Sequence, residues 1–280
     1  GNTALPFAAW GDLIDIVQLL LSHGANINEK NENGWTALHY TANYNALNAT
    51  CLLVKSGADI HIKDNNGRTP LHLAAVNNCI ETAALLISHI KNVDKDKTNL
   101  GRTALHYAAI GNSKETAELL ISAGADIKAK NKNEETVLHA AARNNSKEIA
   151  EFIINYHVDI EAKDEIGQTP LHEAAKNNSK ETAEILISNN ADVNAKDNFG
   201  QTALHLAVQN EKYEISELLI LNNADINAKD NSGRTAIQYA ASKNLKEIAT
   251  LLIMHGADVS STDIENHTAQ ETIKKQQNFL

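Results

Sequence analysis

Histidine is the residue type in this sequence with the most capacity for chemistry, because imidazole can bind a metal ion or carry a proton. The 280 residues include 12 histidines, and six of them end the motif Thr-x-Leu-His: His39, His72, His106, His139, His172 and His205. Successive members of this set are 33 or 34 residues apart, and no cysteine or carboxylate accompanies them at the spacing of a metal site. We therefore interpret them as structural residues and predict neither a metal nor a cofactor.

Motifs of catalytic sites are also missing from the sequence. It has no nucleophile elbow, no phosphate-binding loop and no His-Glu-x-x-His pair. A Ser/His/Asp triad could be picked from any chain with so many of these residues, so that combination alone indicates nothing. The sequence predicts a protein that is not an enzyme.

Composition and charge narrow the class of partner. The formal net charge of −10 and the pI near 5.6 argue against nucleic acid, whose binding needs clustered Lys and Arg. No apolar run approaches the ~18–20 residues that cross a bilayer, so we predict no direct membrane insertion. The two cysteines, Cys51 and Cys79, indicate reduced thiols in an intracellular protein. We expect a cytoplasmic monomer, with the nucleus as an open alternative.

The threonine of the histidine motif marks an internal repeat. It recurs every 33 residues, with one step of 34, at Thr3, Thr36, Thr69, Thr103, Thr136, Thr169, Thr202, Thr235 and Thr268. This phase gives a truncated ninth repeat at 266–280 and eight full repeats at 1–33, 34–66, 67–100, 101–133, 134–166, 167–199, 200–232 and 233–265. Each repeat has apolar residues on two broad sides and needs neighbours to cover them. We expect residues 1–280 to form a single repeat domain.

Residues 101–133 illustrate the structure expected of one repeat. Apolar residues after Thr103 have helical spacing, Gly111-Asn112 interrupts that helix, and a second helix ends at Gly124. A turn-rich segment then leads to the next repeat. Asn112 and Glu115 have the spacing of a capping box within the repeat. The same pairing recurs at Asn78/Glu81, Asn145/Glu148, Asn178/Glu181 and Asn244/Glu247.

This pattern closely resembles the ankyrin repeat. The segments "NGRTPLHLAAVNN" (66–78) and "NNADVNAKDNFGQTALHLA" (189–207) follow its consensus almost letter for letter, and the resemblance covers essentially the whole chain. It implies an all-α repeat solenoid of stacked helix–turn–helix–β-hairpin repeats. It also implies that the motif histidine bonds to the threonine hydroxyl and to neighbouring backbone, which ties one repeat to the next. Partner binding would occur on the concave and hairpin face, without catalysis.

Several positions depart from the family pattern. Asn190 and Asn223 replace the glycine that ends the second helix, and asparagine is the next most tolerant residue at positive φ. His157 replaces the same glycine. Segment 88–101 contains the one extra residue of the array and places Ile90 at that position, where a β-branched side chain is poorly tolerated. We therefore expect another backbone path there, in either a neutral insertion or a specificity loop.

Two asparagines and the two ends of the chain carry further expectations. Asn194 and Asn227 stand in a context that resembles the one in which ankyrin hairpin asparagines are β-hydroxylated, and the alternative is a hairpin hydrogen bond alone. The ninth repeat has Gln270 and Glu271 where Leu and His are usual, which suits a polar terminal cap. In the first repeat Pro6 replaces the motif histidine, so we interpret this end as a cut or as a fold boundary in a longer protein.

Side chains that the stacking does not need are concentrated in the first four repeats. Trp, Tyr and Arg are the residues that most often anchor interfaces. We therefore place the surface for an unidentified protein or peptide at Trp10, Trp35, Tyr40, Tyr44, Arg68, Val76, Leu100, Arg102, Tyr107 and Ile110. Repeats five to eight have mainly polar residues at the same positions.

The sequence leaves two alternatives to a binding scaffold. Trp10 and some of its neighbours could pack against a preceding repeat instead of a partner. The array could also be a structural spacer, or a module that recruits substrates for a larger protein such as an enzyme or channel whose other part precedes residue 1.

Overall fold

The computed structural model describes residues 3–263 and 268–269. Most of the expected cap at 266–280, including Gln270 and Glu271, therefore lies outside the described residues. The described part contains sixteen α-helices in eight consecutive pairs: α1 (Ala4–Trp10), α2 (Ile14–Ser22), α3 (Ala37–Tyr44), α4 (Leu47–Lys55), α5 (Pro70–Val76), α6 (Ile80–Ser88), α7 (Ala104–Ile110), α8 (Lys114–Ser122), α9 (Val137–Arg143), α10 (Lys147–Ile154), α11 (Pro170–Asn177), α12 (Lys180–Ser188), α13 (Ala203–Gln209), α14 (Tyr213–Leu221), α15 (Ala236–Ser242) and α16 (Lys246–Met254). We call the odd-numbered members first helices and the even-numbered members second helices.

The helices form two layers in each of two compact units, residues 1–140 and 141–280. In the first unit, α1, α3, α5 and α7 pack in sequence as one layer, and α2, α4, α6 and α8 pack as the other. In the second unit, α11, α13 and α15 form one layer, and α10, α12, α14 and α16 form the other. The prediction of an all-α repeat fold is confirmed.

Buried leucine and isoleucine side chains fill the space between the layers. Leu38, Leu71 and Leu105 on first helices are at most 3 % exposed, as are Leu53 and Leu120 on second helices. Each first helix also presents alanines such as Ala74 and Ala108 that are fully buried, and small side chains allow neighbouring helices to approach closely. The core therefore runs along each unit as a continuous strip rather than as one central cluster.

The connections between pairs are tight turns. Asp64 N–H donates to the Arg68 carbonyl at 2.9 Å, which closes a hairpin-like turn before α5. Within residues 3–263 and 268–269 the β-pairing is limited to isolated bridges, Lys130 with Thr136 and Thr262 with Thr268. The hairpins of the expected repeat are thus present as turns, too short to continue as strands.

Backbone geometry at the helix ends agrees with the sequence. Gly124 has φ 89°, Asn190 has φ 67°, Asn223 has φ 64° and His157 has φ 54°, all in the left-handed region. Ile90 is not among the residues with positive φ, so the backbone does take another path at the longer connection, as predicted. None of the described helices has the length and apolar character needed to cross a membrane.

Candidate functional site

Five of the motif histidines form a hydrogen bond from their first helix to the next repeat, as the resemblance implied. In the pair α3/α5, the N–H of Thr36 donates to His39 Nδ1 at 3.2 Å, and His39 Nε2 lies 3.0 Å from the Arg68 carbonyl oxygen. Because Nδ1 accepts a proton donor, Nε2 carries the ring hydrogen and donates it. The same tie joins His72 to Arg102, His106 to Glu135, His172 to Gln201 and His205 to Arg234.

Burial keeps these imidazoles neutral. Desolvation lowers the pKa of His39, His72 and His106 to about 4, against the bonds to the next carbonyl, which raise it. The pKa of His172 and that of His205 are lowered for the same reason. Among the described residues, no group of three or more His, Cys, Asp or Glu side chains is placed to hold a metal ion. The histidines therefore act as neutral hydrogen-bonding groups in the stack.

Asparagines between paired helices cap the second helix of the following repeat. Asn78 Oδ1 accepts from Thr116 N–H at 3.2 Å, and Asn78 Nδ2 donates to Glu115 at 2.7 Å. Asn45 makes the same two bonds to Thr82 and Glu81.

The predicted capping box within one repeat is therefore wrong. Glu81 bonds to Asn45 rather than to Asn78, and Glu115 bonds to Asn78 rather than to Asn112; likewise Asn145 bonds to Glu181. The cause is backbone geometry, because Asn78 has φ 52° and its side chain turns away from its own helix. The bond from Asn45 lowers the pKa of the Glu81 carboxyl. These contacts form a second set of ties between repeats.

Three members of the expected partner surface are about half exposed, and two of them form an aromatic pair at the ends of α1 and α3. The rings of Trp10 and Tyr44 are 5.3 Å apart between centroids and tilted by 44°. Their side chains are 47 % and 54 % exposed. Leu100, at a turn tip, is 50 % exposed. These three residues contribute apolar surface to solvent rather than to the core.

Trp35 and Tyr40 are instead part of the junction between α3 and the turn before α5. Trp35 Nε1 donates to Asp64 Oδ2 at 3.2 Å, and its ring contacts Tyr40 edge-on at 5.0 Å. The Arg68 guanidinium lies 5.7 Å from the Trp35 ring centre, and Asn31 Nδ2 donates to the Tyr40 hydroxyl at 3.0 Å. Both aromatic side chains are half-buried. They therefore support the stack as well as line the surface.

The remaining expected residues continue along the first helices and turns of the same unit. Arg102 forms an ion pair with Glu135 at 3.3 Å, and the Tyr107 ring contacts His72 edge-on at 5.2 Å. Val76 and Ile110 are half-buried at the ends of α5 and α7. We use the name binding face for the surface made by the ten expected residues, all of which lie in the first unit.

Sequence reasoning missed several exposed apolar side chains. In the first unit, Phe7, Leu13, Ile16 and Leu19 are 47–57 % exposed. Ile16 occupies the position held by Ala49, which is fully buried. Comparison of Ile16 with Ala49 in the sequence would have indicated that no repeat of the described chain covers this face of the first repeat.

Apolar turn tips also occur in the second unit. Ile166 is 39 % exposed and Phe199 is 55 % exposed. On α11, Glu173 is only 2 % exposed, bonds to Arg143 at 2.8 Å and lies 3.8 Å from Lys176. A satisfied buried ion pair of this kind leaves little apolar surface for a partner.

Asn194 and Asn227 are exposed, and both side-chain amides bond to the following repeat. Asn194 Oδ1 accepts from Asp225 N–H at 2.7 Å, and its Nδ2 donates to the Asn223 carbonyl at 3.2 Å. Asn227 bonds in the same way to Asp258 N–H and the Gly256 carbonyl. The hairpin hydrogen bond is therefore present, and hydroxylation of these two residues stays a prediction.

Comparison with known proteins agrees with this geometry. A family model described as ankyrin repeats in three copies matches residues 1–64, 43–131, 124–197 and 189–263. No curated protein matches the chain. The matched segments together extend over residues 1–263, and the paired helices, histidine ties and turns are those of the matched family. The chain belongs to the ankyrin-repeat family.

Proposed function

We propose that this protein is a non-catalytic scaffold that holds a protein or peptide segment on the binding face of the first unit. Ankyrin repeats generally mediate protein–protein interaction. The observation that carries the proposal is the pair Trp10 and Tyr44, whose rings contact each other while the residues are 47 % and 54 % exposed. Aromatic anchors of this kind supply much of the binding free energy at interfaces.

The surroundings of the pair support the same proposal. Leu100 adds an exposed apolar turn tip, and the half-buried Trp35, Arg68 and Tyr107 add polar and aromatic groups that neighbouring residues hold in position. A side chain that is already held loses little conformational entropy on binding. An interface of about 800 Å² per partner would extend over roughly three or four repeats, which is the length of the first unit.

The proposal is tested by moving a cross-linker between two exposed aromatic positions. A photo-reactive phenylalanine analogue replaces Trp10 in one variant and Phe199 in another, since the two side chains are comparably exposed. We expect a saturable cross-linked product from cell lysate at position 10 and none at position 199. The product should disappear in competition with the unlabelled parent chain, but not with a folded Trp10→Ser/Tyr44→Ser variant.

The outcomes separate the alternatives. Equal yields of cross-linked product at positions 10 and 199 would show non-specific binding and contradict the proposal. No product at either position would favour a spacer, or a recruiting module of a larger protein. A product made by another ankyrin-type segment would mean that Trp10 and its neighbours are covered by a preceding repeat.

A further inference from the structure

One buried position of the repeat carries an aspartate in some repeats and a threonine in another. At Asp64, Oδ1 accepts the backbone N–H of Arg68 at 2.8 Å, and Oδ2 accepts Arg68 Nε–H at 2.7 Å. At Asp230, Oδ1 likewise accepts Arg234 N–H, and Oδ2 accepts the Tyr239 hydroxyl at 2.6 Å. One carboxylate oxygen thus closes the turn, and the other accepts from the side chains that follow it.

Thr98 stands at this position before α7. Its hydroxyl oxygen accepts Arg102 N–H at 3.1 Å and so closes the turn, and the residue is only 6 % exposed. A threonine has no second oxygen. The side chains that would have bonded to that oxygen are Arg102, four residues later, and Tyr107, nine residues later, at the offsets of Arg68 from Asp64 and of Tyr239 from Asp230.

Both of these groups lack the hydrogen bonds that their equivalents form. Arg102 Nε is buried and has no hydrogen-bond partner among the described residues. The Tyr107 hydroxyl likewise forms none within residues 3–263, whereas the hydroxyls of Tyr40 and Tyr239 bond to Asn31 and Asp230, nine residues before them. The buried Arg102 Nε–H is a donor without an acceptor, which costs free energy that an incoming acceptor recovers.

A second guanidinium, that of Arg68, belongs to the preceding repeat, at a position from which other side chains contact the residue equivalent to Thr98. Trp35 and Gln168 each donate to the aspartate of the next repeat, Asp64 and Asp197, 29 residues later. Arg68 is the equivalent of Trp35, and the residue in the next repeat that corresponds to the aspartate is Thr98, which has no carboxylate. Arg68 bonds to Asp64 of its own turn instead. Burial raises the pKa of the Tyr107 hydroxyl; the charges of Arg68 and Arg102 oppose this rise, and that of Asp64 adds to it.

We propose that Arg102, Tyr107 and Arg68, arranged around Thr98, bind a carboxylate from an Asp or Glu side chain of the segment held on the binding face. This inference rests on the proposed function and names the chemistry of its partner. Arg102 is 20 % exposed and its ion pair with Glu135 is long at 3.3 Å, so the guanidinium can turn toward an acceptor arriving from solvent. A planar carboxylate matches a guanidinium and a hydroxyl, as Asp64 and Asp230 do internally.

The test uses the full chain and two capped peptides, Ac-Gly-Ala-Glu-Ala-Gly-NH2 and its Gln counterpart. The readout is the NMR resonance of Arg102 Nε–H. We expect a saturable shift with the Glu peptide and none with the Gln peptide. The resonance of Arg234 Nε–H, which lies near Asp263, is the internal control and should not shift. A phosphoserine peptide forms a further arm, and tighter binding of that peptide would replace carboxylate by phosphate as the recognised group and overturn the proposal.

Two variants at position 98 make the test decisive. Thr98→Asp supplies an internal carboxylate, so it should raise the thermal midpoint and weaken Glu-peptide binding by roughly tenfold or more. Thr98→Asn is the matched control, because Asn31 and Asn131 close the same turn through Oδ1 in their own repeats. An unchanged response in Thr98→Asp, or equal responses to the Glu and Gln peptides, would overturn the proposal. If the cross-link at position 10 fails while the Arg102 response persists, the proposed function is wrong at Trp10 and the carboxylate site still stands.

Discussion

His39 Nε2–H donates a hydrogen bond of 3.0 Å to the backbone carbonyl of Arg68, 29 residues away in the next repeat. The other ring nitrogen accepts the Thr36 N–H that begins the same helix. One neutral imidazole thus caps its own helix and fixes the next turn. Protonation of Nδ1 removes the acceptor and places a charge in a fully buried position.

Stability should therefore fall as the pH falls from 6.5 to 4. The unfolded state binds a proton at each of His39, His72 and His106 near pH 6.5, but the folded state binds it only near pH 4. Between these values the unfolded state holds more protons, so the free energy of unfolding rises with pH and is lost on acidification. Each histidine contributes on the order of 3 kcal/mol across this window. Urea unfolding at a series of pH values measures the slope.

Gln238 provides the matched control for the histidine effect. It occupies the motif histidine position and accepts from Thr235 N–H at 2.8 Å, as the histidines accept from their threonines, while its Nε2 donates to the Ser261 carbonyl at 3.2 Å. A His72→Gln variant should likewise accept from Thr69 N–H, without titrating. We expect the free energy of unfolding to depend less steeply on pH, by about the contribution of one histidine. A slope equal to that of the parent would show that His72 does not protonate on unfolding.

Removing an asparagine cap should destabilise the following repeat. Asn78→Gly keeps the left-handed backbone but loses the bonds to Thr116 and Glu115, and should cost about 1 kcal/mol. Asn78→Ala also meets strain at φ 52° and should cost about 1 kcal/mol more. Urea unfolding gives both values. If Asn78→Gly is as stable as the parent, the cap between repeats makes no net contribution to the free energy of unfolding.

Gly111 should not tolerate a methyl group. It follows α7 with φ −90°, and a Cβ built there overlaps the carbonyl oxygen of Val76 at the end of α5. Gly111→Ala should therefore separate the two helices and cost about 1–3 kcal/mol. Gly11 ends α1 in a similar way with φ −75°, and its nearest neighbour would be Leu13 Cγ at 3.3 Å. The stability of Gly11→Ala in thermal unfolding should lie within about 0.5 kcal/mol of that of the parent. Equal losses of stability in the Gly11 and Gly111 variants would contradict the close approach of Gly111 to Val76.

Substitution of the two tryptophans should show that Trp35 stabilises the fold and that Trp10 does not. Trp35→Phe loses the bond to Asp64 and should cost about 1 kcal/mol. Trp10→Phe removes no such bond from a half-exposed ring and should stay within about 0.5 kcal/mol of the parent. Chemical denaturation of the two variants checks this order, and the reverse order would place Trp10 in the stack.

Much of the fold was predictable because the repeat phase indicates where the helices and their ends lie. The bonding of the histidines followed only from the resemblance to the ankyrin repeat. Position in the repeat also predicts the left-handed geometry of Asn190 and Asn223. The direction of the Asn78 side chain was not predictable in this way, because its partner Glu115 is distant in sequence and a nearer glutamate, Glu81, has the familiar spacing.

The composition of the proposed binding face comes from the sequence, but the state of its side chains needed the structure. The sequence places both Trp10 and Trp35 in the predicted partner surface. In the structure Trp10 is part of an exposed pair, whereas Trp35 is half-buried and bonded to Asp64. The role of Thr98 also needed the structure. Its importance lies in two donors on other residues, Arg102 Nε and the Tyr107 hydroxyl, and in the bonds that neighbouring aspartates make.

These histidine and asparagine side chains form hydrogen bonds with residues of the next repeat, as His39 does with Arg68 and Asn45 with Glu81. Such a pattern is unchanged when the chain is shifted by one period. Excision or duplication of one whole period would bring a fresh donor against an equivalent acceptor. The one extra residue of segment 88–101 lies in a connection between repeats, and His72 still bonds to Arg102 across it. The gene encoding such a chain can therefore gain or lose whole repeats, or single residues in a connection, without redesign of the core.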